Sequence, residues 1–157
     1  MSTSEAIIPA HRLSFGKHGP KIYKALVHLE NTIDLDPALF ELVKLRASVI
    51  NGCSYCVDLH TRTMIDAGED PRRIASVAAW RHAAFFTARE RAALTLTDAM
   101  TRLGDEGVTH QMWEQVSGHF TPDELANLIG AIIAINSWNR LAVTLETIPD
   151  DIRDALT

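Results

Sequence analysis

The chain has little sulfur, no excess of basic charge and no long apolar run. Its 157 residues include only two cysteines, Cys53 and Cys56. A disulfide-stapled secreted scaffold spreads more cysteines along its length, so that class is excluded. Lys and Arg total 15 against 20 Asp and Glu, a net charge of -5 with neutral histidines. Nucleic-acid binding without sequence preference needs a basic footprint, and none is present. The longest uninterrupted apolar stretch, Leu128 to Ile135, has eight residues. A bilayer span takes about 20. Neither nucleic acid nor membrane is therefore an expected partner. Met1 to Glu5 has no basic region leading into an apolar core, so no secretory signal is read and the expected compartment is the cytoplasm. Alternating runs bounded by turn signals, low-complexity tracts and repeats are also missing.

What is present is a globular mixture, 46% hydrophobic and 22% charged. The length fits one domain, 1–157, with a core over about 20–145. The pattern is all-α, with about seven helices. Residues 1–19 read as irregular. A short helix is expected from about Pro20 to Glu30. Asp36-Pro37 starts the next, an N-cap with proline at the first helical position. Leu39, Leu42, Val43, Val49 and Ile50 recur at helical spacing before the stop at Asn51-Gly52. A helix follows from Cys53 to Ala67, ahead of Gly68. Asp70-Pro71 opens another, ending near Trp80. Thr87 and Glu90 form a capping box for a helix to about Leu103, and Thr109 opens a shorter one. Thr121-Pro122-Asp123-Glu124 starts a long helix to Leu145. Its middle is apolar on nearly every face, which places it at the bundle centre or in a subunit interface.

The two cysteines form a single Cys-x-x-Cys. Asn51-Gly52 breaks the chain just before it, so both thiols are expected in the first turn of a helix, where free N–H groups and the helix dipole favour thiolate. The dipole contributes about 0.3–1 kcal/mol. A drop of two pKa units from the ordinary thiol value of about 8.5 needs about 2.7 kcal/mol. A second contributor is required, and His60 is the candidate. It lies four residues after Cys56, on the same helical face, and seven after Cys53, near that face but about 10 Å away along the axis. Cys56 is thus the expected attacking sulfur and Cys53 the resolving one. The helices flanking Gly52 should run side by side. His60 and Glu41 then stand about 12 and 15 Å from the turn, nearly level. This predicts a proton relay in the order Glu41, His60, Cys56.

The stretch Glu41 to His60, with Cys53-Ser-Tyr-Cys56 inside it, resembles the core of the alkylhydroperoxidase D-like group of the carboxymuconolactone decarboxylase superfamily. Ala79-Trp80-Arg81 and Ile135-Asn-Ser-Trp138-Asn139-Arg140 extend the resemblance over roughly 20–145. It implies an all-helical fold assembled as trimers or hexamers. It also implies a peroxidase without bound cofactor, in which a thiolate reduces a hydroperoxide and the pair closes to a disulfide reopened by an external dithiol. The resemblance assigns the relay to Glu41 and His60, the peroxidatic sulfur to Cys56 and the resolving sulfur to Cys53. One position departs: the best-known members carry histidine before the second cysteine, and here it is Tyr55. A phenol with pKa near 10 is a poor base at pH 7.

These residues admit other uses. Cys53, Cys56, His60 and Glu41 count as four zinc ligands, but no second ligand pair at tight spacing is present. Glu41 alone reads as a solvated partner of Lys44. A lactone decarboxylase or a redox sensor are the competing functions; the first has no call for a cysteine pair. His11, His18, His28, His82, His110 and His119 show no ligand spacing and read as surface residues. Trp80, Trp113 and Trp138 read as core or interface anchors, and Asn139 and Arg140 as braces for helix ends. Asp34, Asp36, Asp150 and Asp151 read as loop and cap residues.

Overall fold

In the computed structural model, which describes residues 12–149 and 151, the helices starting at Pro37, Pro71, Ala88 and Pro122 begin where a short side-chain oxygen precedes proline or a capping glutamate. The elements are α1 (Phe15–His18), α2 (Pro20–Asn31), α3 (Pro37–Asn51), α4 (Ser54–Asp66), α5 (Pro71–Ser76), a 3₁₀ segment (Val77–His82), α6 (Ala88–Arg102), α7 (His110–Ser117) and α8 (Pro122–Leu145). Among the described residues there is no strand. Asp36, Asp70 and Thr109 cap their helices through side-chain oxygens, and Thr87 and Thr121 form full capping boxes with Glu90 and Glu124.

Two elements differ from the sequence reading. The expected irregular stretch contains the single turn α1, closed by the Ser14 carbonyl accepting from the Lys17 and His18 N–H groups; residues 1–11 lie outside the described range. The helix from Pro71 changes to 3₁₀ at Val77, and Ala79 leaves helical geometry altogether. A competing donor accounts for this: the Arg46 guanidinium takes the carbonyls of Val77 and Ala78 at 3.3 and 3.0 Å.

The centre of the fold is α3. It packs against α4, α6, α8 and the 3₁₀ segment. Seven consecutive residues, Leu42 to Ser48, are buried, so the helix is enclosed on every side. The helical spacing of Leu42 and Val43 did not anticipate that Lys44 and Arg46 would also be inside. Each is buried with partners. Arg46 makes two bonds to Asp98 of α6, at 2.6 and 3.1 Å, and Asp98 also accepts from Trp80 and Arg81. The second central helix is α8, which packs on α2, α3, α4 and α6. It is long and apolar enough to cross a membrane. Asn136, Asn139 and Arg140 interrupt it, and Leu128, Ala131, Ile132 and Ile135 form part of the buried interior.

Asp98→Ala would leave the Arg46 guanidinium buried without its carboxylate. Removing one partner of a buried pair costs about 3–5 kcal/mol. Urea denaturation should show a loss of that size, much larger than for a change at the exposed Asp105.

Candidate active site

The site is built from the turn between α3 and α4. Gly52 ends α3 with φ +66°, a conformation glycine adopts without strain. The Cys53 N–H then donates to the Ser48 carbonyl at 3.1 Å. A buried amide network braces this turn from α8. Asn51 Nδ2 donates to Asn136 Oδ1 at 3.0 Å and Asn139 Oδ1 at 2.9 Å. Asn139 Nδ2 donates to Ser48 Oγ at 3.0 Å. The bracing role read for Asn139 is therefore a direct one, and Arg140 contributes through Asn136.

Cys53 is the N-cap of α4, and its Sγ accepts from the Cys56 N–H at 3.2 Å. Only Cys56 lies within the first helical turn; Cys53 stands just ahead of it. The two are joined as a disulfide, with Cα atoms 5.3 Å apart. Their residues are only 1% and 3% exposed.

His60 is buried one turn further along α4, and its Nδ1 lies 2.8 Å from Glu41 Oε2. The near-level placement expected from helical rise therefore holds. Lys44 Nζ donates to the other Glu41 oxygen at 3.3 Å and to Glu30 of α2 at 2.7 Å. It also sits 4.2 Å from the Phe40 ring centroid. Burial opposes ionisation of Glu41, but the His60 hydrogen bond and the Lys44 ammonium outweigh it, so the carboxyl lies below its ordinary pKa. An ionised Glu41 holds the imidazole proton on Nδ1 and leaves Nε2 as the acceptor.

Cys56 and His60 line a cavity of about 460 Å³. Glu30, Lys44 and Tyr55 are among its other polar groups; Phe15, Tyr23, Leu59, Trp138 and Leu141 are among its apolar walls. Tyr23 and Trp138 meet edge to face, with centroids 5.5 Å apart. The size is ordinary for a small-molecule site.

The structure thus brings Glu41, Cys53, Cys56 and His60 together. It adds residues that the sequence reading did not place at the site. Trp138 is a cavity wall instead of a core anchor, because its position on α8 faces Tyr23 of α2. Trp113 is exposed, and of the three tryptophans only Trp80 is in the core. Lys44 had a local signal, three residues after Glu41; Glu30 had none. The histidines His18, His28, His82, His110 and His119 are exposed, and His11 lies outside the described residues. Among the described residues no group of three His, Cys, Asp or Glu side chains could hold a metal.

A helical fold that sets a Cys-x-x-Cys disulfide at a helix start, with an imidazole–carboxylate pair one turn on, defines the alkylhydroperoxidase D-like class. The sequence comparison agrees with the geometry. The chain belongs to the carboxymuconolactone decarboxylase family, whose profile matches residues 20–99. It is 30% identical over 139 residues to the uncharacterized protein YdfG of Bacillus subtilis (strain 168), covering 87% of this chain and 95% of the relative. A crystal structure from Agrobacterium tumefaciens, of a protein of unknown function described as a proposed antioxidant defence protein AhpD, superposes with TM-score 0.85 and 35% identity, covering 88% of this chain and 97% of that one. An uncharacterized peroxidase-related protein from Silicibacter sp. TM1040 shares the fold, with TM-score 0.74 and 22% identity, over 83% of this chain and 71% of that one.

A carboxylate with a depressed folded-state pKa adds stability that is complete above its unfolded pKa and disappears as pH falls through the folded one. Glu41→Gln should therefore destabilise by about 1–3 kcal/mol near pH 7, the range for a charge-assisted hydrogen bond. The two proteins should converge in acid, as measured by urea denaturation across pH.

Proposed function

We propose that this chain is a single-domain thiol peroxidase that reduces hydroperoxides to alcohol or water. The observation that carries the reading is the Cys53–Cys56 disulfide, with Cys56 beside the His60–Glu41 pair on the wall of a largely apolar cavity. The family and the Agrobacterium relative's antioxidant description support it.

In this reading the relay takes the proton of the Cys56 thiol, and the start of α4 stabilises the thiolate. The thiolate attacks the terminal peroxide oxygen. The O–O bond breaks, Cys56 becomes a sulfenic acid, and the alkoxide takes a proton from the relay. The Cys53 thiolate then attacks the Cys56 sulfur, hydroxide leaves with a further proton as water, and the disulfide closes. An external dithiol reopens it by exchange. No bound cofactor takes part. Tyr55, in place of the family histidine, supplies a hydroxyl to the cavity.

The protein is further proposed to act in the cytoplasm, where dithiols are kept reduced, and as a homo-oligomer, a trimer or hexamer. Ile22, Ile65 and Ile133 remain exposed and supply apolar surface for assembly. The alternative within the family is lactone decarboxylation, which has no use for a disulfide. Peroxide-dependent oxidation and lactone turnover measured side by side separate the two.

Stoichiometric hydroperoxide added to the reduced protein should remove two hydrogens from the Cys53–Cys56 peptide by mass spectrometry. Cys56→Ser should abolish the reaction, whereas Cys53→Ser should leave a trappable sulfenic acid at Cys56; a sulfenic acid at Cys53 in the other variant would reverse the assignment. His60→Ala should raise the Cys56 pKa, read from the pH dependence of alkylation, and an unchanged profile would remove His60 from the relay.

A further inference from the structure

The disulfide stands between two cavities. The larger has Cys56 in its wall but not Cys53. A second, of about 190 Å³, has Cys53 in its wall but not Cys56. Tyr55, Ala142 and Thr147 belong to both walls and form a partition. Val143, Glu146 and Ile148 line only the smaller cavity. The chain turns there through Glu146, the left-handed residue that ends α8. Beside Cys53, the space in front of Gly52 is open: a Cβ placed there would meet nothing within 4 Å.

We propose that the two half-reactions use opposite faces of the disulfide: the hydroperoxide reaches Cys56 through the larger cavity, and the reducing dithiol attacks Cys53 through the smaller. This rests on the peroxidase reading and adds the site of the reductant. Thiol–disulfide exchange depends on access to the sulfur attacked and on the pKa of the sulfur that leaves. Attack at Cys53 releases Cys56, the sulfur next to His60 and inside the first turn of α4. Attack at Cys56 would release Cys53, which stands ahead of the first turn of α4 and seven residues from His60. The leaving-group chemistry and the placement of the second cavity therefore select the same sulfur.

The step balances as follows. A thiolate of the dithiol forms a bond to Cys53 Sγ, the Cys53–Cys56 bond breaks, and Cys56 departs as thiolate. The second thiolate of the dithiol attacks its own sulfur in the mixed disulfide and releases Cys53. The dithiol loses two electrons, the protein disulfide gains them, and the dithiol's two protons pass to the released thiolates or to solvent. The cavity is smaller than the usual small-molecule site of about 300 Å³ or more.

The test starts from protein oxidised with diamide, so no peroxide step is involved. One equivalent of 2-mercaptoethanol, an acid quench and peptide mapping should find the adduct on Cys53 and a free thiol at Cys56. Val143 is half exposed and lines only the smaller cavity. Val143→Trp should slow attack by 2-mercaptoethanol by about tenfold through lost access. It should leave iodoacetamide alkylation of Cys56 in the reduced protein nearly unchanged. An adduct on Cys56, or no selective slowing of thiol attack by Val143→Trp, would overturn the proposal. A wild-type protein that hydroperoxides fail to oxidise would sink the peroxidase reading instead, and would leave these readouts measurable.

Discussion

Two cations buried in the central helix constrain the rest of the molecule. Lys44 and Arg46 lie inside a run of seven enclosed residues of α3. An unpaired buried charge costs several kcal/mol, so each must be met by a partner from another element. Arg46 is met by Asp98 of α6 and by two carbonyls of the 3₁₀ segment, which fixes both against α3. Lys44 is met by Glu30 of α2 and by Glu41. The lysine thus holds one oxygen of the carboxylate whose other oxygen holds His60. Electrostatic satisfaction of the core and orientation of the imidazole come from the same small cluster.

Much of this was legible in the sequence because it is local. Asp36-Pro37, Thr87 with Glu90 and Thr121 with Glu124 are complete helix-start signals within four residues, and all three act as such. The stop at Gly52 and the four-residue step from Cys56 to His60 are equally local. Rise per residue then sufficed to pair His60 with Glu41 across the turn. What escaped was long-range. Nothing near Arg46 announces Asp98, 52 positions away, and so the conversion of a helix to 3₁₀ at Val77 could not be foreseen. The same holds for Glu30, for Trp138 facing Tyr23, and for the burial of Lys44, where a solvated ion pair was the simpler inference.

The cavity joins these strands. Lys44, His60 and Cys56 face it, with Glu41 held behind them by Lys44 and His60, and its apolar walls come from α1, α2, α4 and α8. Four elements from both ends of the chain thus converge on a short motif in its middle. The motif alone supplies two sulfurs and an imidazole. The surrounding helices supply the shape, the apolar lining and the Glu30 carboxylate.

The N-cap of α4 is itself one of the two sulfurs. Most helices assign that duty to an oxygen that never changes its bonding. Here the acceptor for the Cys56 amide is a sulfur, an atom whose charge and bonding differ between a disulfide and a thiolate. The hydrogen bond at the head of the helix would therefore differ in strength between the oxidised and reduced forms of the pair, so that the backbone at this turn would carry the state of the two sulfurs.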